Sequence, residues 1–97
     1  MVKVLIKRVV PRNKAKEMIA LFRQMHILAV NQDGYISAET FHNHDDPEEF
    51  LVISSWQNAE SWIKWFKSSE RLEIQEKIDK LLGGLTSYAV YDYGISE

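Results

Sequence analysis

The stretch YISAETFHNHDDPEEFLVISSW, residues 35–56, decides how this chain folds. Its two ends, YISAETFH (35–42) and EFLVISSW (49–56), are rich in β-branched and aromatic residues and read as strands. What joins them admits two readings. His42 and His44 stand two apart with Asp45 and Asp46 close behind, which is how a metal site can begin. The same letters suit a polar turn, because Asp45 and Asp46 are favoured turn formers and Pro47 lacks a backbone donor. A metal centre needs a third convergent ligand and a supporting shell, whereas these carboxylates fall at an exposed tip. The segment is therefore read as a hairpin that holds no metal.

Upstream, VKVLIKRVV (2–10) alternates and is β-branched, a strand that Pro11 stops. Asn13 is the expected N-cap of a helix running to about Val30. On that helix Met18, Leu21, Phe22, Met25 and Ala29 fall on one stripe. Gln32-Asp33-Gly34 ends it, with Gly34 supplying backbone freedom. Downstream, Asn58 can cap a second helix that carries Trp62, Trp65 and Phe66 on one side. Ser68 and Ser69 break it before SERLEIQEKIDKLL (69–82), whose inner face holds Ile74, Ile78, Leu81 and Leu82. Gly83-Gly84 closes that helix, and TSYAVYDY (86–93) is a last strand. The order β-α-β-β-α-α-β is the split βαβ arrangement of ferredoxin-like α+β folds with an antiparallel sheet. One domain over residues 1–97 is expected at this length.

The strands carry one feature beyond this order. Helices cover a single face of such a sheet, so each strand should be apolar on one side only. Here Phe50 and Val52 oppose Leu51 and Ile53, Val4 and Ile6 oppose Leu5 and Val9, and Tyr88 and Val90 oppose Ala89 and Tyr91. Two copies stacking their open faces would bury both sides. Full burial of one such aliphatic or aromatic side chain contributes ~1.5–3 kcal/mol, so a homodimer is expected.

Composition narrows the function. A net charge of −2 speaks against nucleic acid. The basic run Lys3, Lys7, Arg8, Arg12, Lys14 and Lys16 reads as a solvated strand edge and first helical turn, with an anion-binding rim as the other reading. Cysteine is absent, which removes disulfides and thiol chemistry and fits a cytoplasmic setting. No apolar run approaches the ~20 residues of a membrane helix, and no signal-peptide core follows Met1. The glycines form no G-x-G-x-x-G phosphate loop, so neither flavin nor nicotinamide is indicated and no cofactor is expected.

The run DDPEEFLVISSWQNAESWIKWFKSSE (45–70), with NQDGYISAETF (31–41) before it, resembles the antibiotic biosynthesis monooxygenase family of dimeric α+β barrels. The shared pattern is a D-P turn, an apolar strand ending in Trp, a capped aromatic helix and a Ser-rich break. Agreement in element order extends along nearly the whole chain. The resemblance implies a pocket between sheet and helices in each subunit. It also implies an activity drawn from cofactor-independent quinol oxygenation, heme degradation or isomerisation of a sugar phosphate.

Residue by residue, Trp65 in WIKWFKS matches the family's Trp. The family's heme-degrading members have a His ten residues later, where this chain has Gln75, and an Asn near Lys7-Arg8, where this chain has none. Ser54-Ser55-Trp56 replaces the E-x-W run of many members. An amide is a poor axial ligand to heme iron beside imidazole, so heme degradation is disfavoured.

Cofactor-free oxygenation of an aromatic or quinol-like molecule asks only for a base, orientation and a dry pocket. His26, Trp65 and Gln75 are the candidate catalytic residues, with Phe22, His42, Trp62 and Tyr88 as candidate pocket residues. His26 or His42 would be the base, since histidine titrates near ~6.5, and Gln75 or Tyr88 a hydrogen-bond partner. A packing role is open for each: Trp62, Trp65 and Phe66 as plain core, His26 as a partly buried histidine, Tyr88 at a dimer seam. The alternative function is a non-catalytic, ligand-binding or stress-response barrel that holds a small apolar or aromatic ligand.

Overall fold

The computed structural model describes residues 1–95. Strand β1 (Val2–Val9) leads through a 3-10 turn (Arg12–Lys14) into helix α1 (Ala15–Ala29). The hairpin β2 (Tyr35–His42) and β3 (Glu49–Trp56) follows, then α2 (Ala59–Phe66), α3 (Ser69–Leu82) and β4 (Ser87–Asp92). All strand pairs are antiparallel, in the order β2-β3-β1-β4. This is the ferredoxin-like α+β arrangement expected from the element order.

Local chemistry explains most of the boundaries. At the hairpin tip the Asn43 side chain accepts from the backbone N–H of Asp45 at 2.8 Å, the Asx turn that such a sequence favours. The backbone bonds Asn43 N–H to Glu49 O at 2.8 Å and Glu49 N–H to Asp46 O at 2.9 Å then close the connection. His42 and His44 are both exposed, and no three-residue metal-ligating group occurs among the described residues. Asn58 caps α2 by accepting from Ser61 N–H at 2.8 Å. Ser68 separates α2 from α3 by working in both directions. Its hydroxyl donates to the last turn of α2 at Trp65 O, 2.8 Å, and accepts from Arg71 N–H at the start of α3, 3.2 Å. Gly83 ends α3 in the left-handed conformation, φ 64°.

One boundary differs from expectation. Asn13 caps nothing: it lies inside the 3-10 turn, and α1 begins two residues later without a side-chain cap. Pro11 sets a tight turn there, so the chain enters α1 through i→i+3 geometry and Asn13 is left exposed.

The register assigns the faces. Val2, Val4, Ile6 and Arg8 point inward from β1 and pair across β3 with Trp56, Ser54, Val52 and Phe50. The inner face and the helices enclose two apolar clusters. Val4 and Trp56 anchor one, Met18 and Ile78 the other, and Met25 and Leu28 pack against both. On the opposite face the middle row runs Glu39, Ile53, Leu5, Ala89, and the next row runs Phe41, Leu51, Lys7, Ser87. Among the described residues no helix covers this side: Phe41, Tyr91 and Val9 are 44%, 55% and 62% exposed. The inner and outer sets agree with the alternation read from sequence.

Candidate functional site

A cavity of about 90 Å³ lies between the inner face of the sheet and the three α-helices. Its wall is aromatic because β3 ends in Trp56 and α2 presents Trp62 and Trp65 on one side, three residues apart. Tyr35 meets Trp56 edge-to-face at 5.5 Å, and Trp56 meets Trp62 at 5.9 Å. The Trp56 indole N–H donates to Ser54 Oγ at 3.1 Å, which satisfies its only polar atom. Burial among these groups raises the Tyr35 phenol pKa above its ordinary value.

The cavity opens past Phe22, His26, Ala38 and Thr40. These four residues also line a wider apolar groove of about 490 Å³ between α1 and the edge strand β2. His26 is exposed at this mouth, its ring edge-on to Tyr35 with centroids 6.4 Å apart.

At the β1–β4 side the wall turns polar. Arg8 from β1 and Arg71 from α3 both line the cavity and are only 4% and 2% exposed. Arg8 donates from Nη2 to Gln75 Oε1 at 3.1 Å and from Nε to Thr86 Oγ1 at 3.3 Å. Arg71 donates to Gln75 Oε1 at 3.4 Å, to Phe66 O at 3.3 Å and to the Tyr88 hydroxyl. Tyr88 in turn donates to Gln75 Oε1 at 3.2 Å. The Gln75 amide nitrogen donates outward, to Asp79 Oδ1 at 2.8 Å and Thr86 Oγ1 at 3.1 Å. The guanidinium of Arg71 stacks near the rings of Phe66 (4.7 Å) and Tyr88 (5.1 Å), and that of Arg8 over Phe22 (5.4 Å). Burial lowers the Arg8 pKa, and the like charge of Arg71 adds to this, while Tyr88 and Asp79 oppose it.

Of the residues singled out from sequence, Phe22, His26, Trp62 and Trp65 line the one cavity. Gln75 and Tyr88 stand behind it, joined to it through the two arginines. With both ends of its amide engaged, Gln75 is not free to coordinate a metal or heme iron. His42 stands outside the cavity walls, beside Phe50 with ring centroids 6.1 Å apart.

Sequence reasoning passed over Arg8 and Arg71. Arg8 belonged to the basic run read as a solvated edge, with an anion-binding rim as the other reading, yet it occupies an inward position in the alternation Val2, Val4, Ile6, Arg8. Arg71 lies three and seven residues before Ile74 and Ile78, on the same buried stripe of α3. The periodicities that placed their apolar neighbours inside were the available signal.

The model of the antibiotic biosynthesis monooxygenase family matches residues 1–77. Protein SchA of Streptomyces halstedii is 24% identical over 71 residues, which are 73% of this chain and 19% of SchA, so this chain spans about a fifth of that relative's length. Among solved structures, a conserved protein from Methanosarcina mazei Go1 superposes with a TM-score of 0.85 at 20% identity, over 93% of this chain and 89% of that one. The cofactor-independent oxygenase SnoaB from Streptomyces nogalater gives 0.84 at 13% identity, over 98% and 94% of the two chains. At these identities the structural matches establish the fold.

Proposed function

The chain belongs to the antibiotic biosynthesis monooxygenase family, and from that premise we propose that it is a cofactor-independent monooxygenase of an electron-rich aromatic or quinol-like small molecule, working as a homodimer. The observation that carries this reading is the aromatic-walled cavity with an imidazole, His26, at its mouth. SnoaB, which shares the fold, is itself a cofactor-independent oxygenase. The uncovered apolar sheet face supports the dimer: Leu5, Ile53 and Leu51 are flanked there by exposed Phe41 and Tyr91.

The chemistry asks little of the protein. A phenol whose keto tautomer presents a CH₂ group loses a proton to His26, leaving a phenolate. That phenolate gives one electron to O₂, and the radical pair collapses to a C–O–O⁻ bond. Protonation yields a hydroperoxide, and loss of water leaves C=O. One oxygen atom ends in the product and the other in water, and the substrate supplies all four electrons. Trp56, Trp62 and Trp65 hold the ring and exclude water. Oxygen uptake with a panel of hydroquinones and phenols between pH 6 and 8 tests this. Uptake lost in His26→Ala is expected, and rates no greater than in buffer across the panel would refute it.

A second reading, a non-catalytic binding barrel, is favoured by the surroundings of His26. Its ring lies edge-on to Tyr35, and no side-chain hydrogen bond among the described residues fixes its tautomer. A ligand that raises the melting temperature with no oxygen consumed would select this reading.

A further inference from the structure

From the polar end of the cavity we infer that its ligand is an aromatic acid, whose carboxylate is received by Arg8 and Arg71 while its ring lies against the tryptophans. This rests on the cavity being the ligand site, as in the proposed function, but not on turnover.

Charge is the first ground. Both guanidiniums are more than nine-tenths buried, and arginine stays protonated under any ordinary condition. Among the described residues no carboxylate lies within ion-pair distance of either; the pair that does occur is Lys80 with Glu76 at the surface. Asp79 reaches the arginines only through the Gln75 amide. Buried charge without a counter-ion is costly, and apolar side chains of the same volume would serve a merely structural wall better.

Hydrogen-bond supply is the second. Each guanidinium offers five N–H donors, and a carbonyl oxygen has two lone pairs. Gln75 Oε1 nevertheless receives three donors, from Arg8, Arg71 and Tyr88. No buried side-chain nitrogen or oxygen among the described residues lacks a partner, but three donors share this single oxygen, so a further acceptor would be well received here. A carboxylate brings about four lone-pair sites in a plane that suits the guanidinium fork.

Size sets the shape of the ligand. A dry apolar cavity of ~150 Å³ admits benzene, and this one is about 90 Å³. It therefore accepts the acid group and part of one ring. The remainder of the molecule extends past His26 and Phe22 into the groove beside β2, which has about 490 Å³ to offer.

The test is binding of 4-hydroxybenzoate, 4-hydroxybenzamide and phenyl phosphate, followed by tryptophan fluorescence and by melting temperature, with oxygen uptake measured separately. The acid is expected to bind at least about tenfold more tightly than the isosteric amide, the scale of one charge-assisted contact. Arg8→Met should erase that preference and Arg8→Lys restore part of it, with circular dichroism confirming that each variant folds. Arg71→Met provides a second route should Arg8→Met fail to fold. Equal affinity for acid and amide, or a preference unchanged in folded Arg→Met variants, would overturn the inference while leaving the cavity reading intact. Tighter binding of phenyl phosphate than of the acid would overturn the carboxylate assignment. Failure of every aromatic probe to bind would remove both this inference and the cavity reading beneath it.

Discussion

Gly34→Ala should be far more damaging than the gain of one methyl group suggests. Gly34 sits at φ 84° in the turn between α1 and β2. A side chain in that left-handed conformation costs ~1–2 kcal/mol. The new methyl would also lie 2.6 Å from the Ser61 Cβ and closer still to its Oγ. The hydroxyl can rotate aside, but the Cβ cannot move unless α2 moves with it. Overpacking of this kind adds ~1–3 kcal/mol, for a total of ~2–5 kcal/mol.

Gly83→Ala is the internal control. Gly83 has a similar φ of 64°, with nothing within 4 Å of the position a Cβ would take. It should cost only the backbone part, ~1–2 kcal/mol. Urea unfolding followed by tryptophan fluorescence measures both. Melting temperatures should fall by roughly 8–40 °C for Gly34→Ala and roughly 4–16 °C for Gly83→Ala, at ~4–8 °C per kcal/mol for a domain of this size. The double variant Gly34→Ala/Ser61→Gly should recover the collision part but not the backbone part. If the two single variants cost the same, the close approach of α2 to the turn is not what demands glycine, and the reasoning fails.

Two further outcomes follow from other parts of the molecule. Ile53→Glu, at the centre of the uncovered sheet face, should leave the subunit folded but weaken self-association by more than about tenfold, since a carboxylate buried in a seam costs several kcal/mol. Sedimentation velocity at micromolar concentration reads this, and a wild type that sediments as a single chain would refute the dimer. Burial holds the Tyr35 phenol neutral beyond its ordinary range, so the stability it contributes is complete below pH ~10 and is lost as pH rises through the folded-state value. In urea titrations from pH 8 to 11, Tyr35→Phe should decline less than the wild type above pH 10, and parallel curves would refute the assignment.

The fold was legible because its signals are local. Strand alternation, the Asn58 cap, the Ser68 break and the Gly83 stop each depend on a few neighbouring residues, and each stands where the sequence puts it. Asn13 misled because Pro11 imposes its own turn, and the capping preference of Asn has no helix end to act on. The aromatic half of the site was equally plain, since Trp62 and Trp65 share one side of a short helix. The polar half was hidden because charged side chains are ordinarily solvated. Arg71 meets Gln75 one turn along the same helix, but Arg8 stands 67 positions before Gln75, and only the placing of α3 beside β1 brings it there. Tyr88 joins them from the last strand, completing a cluster that no spacing in the chain announces.

Because the entrance is framed by α1 and a strand hydrogen-bonded along one side only, preference for one visitor over another can drift through edits at positions such as Ala38 and Thr40. The deep interior, and with it the folding of the subunit, would stay as it is. A scaffold so divided can change its diet without relearning how to assemble, and a small library confined to that rim is where new selectivities should be sought.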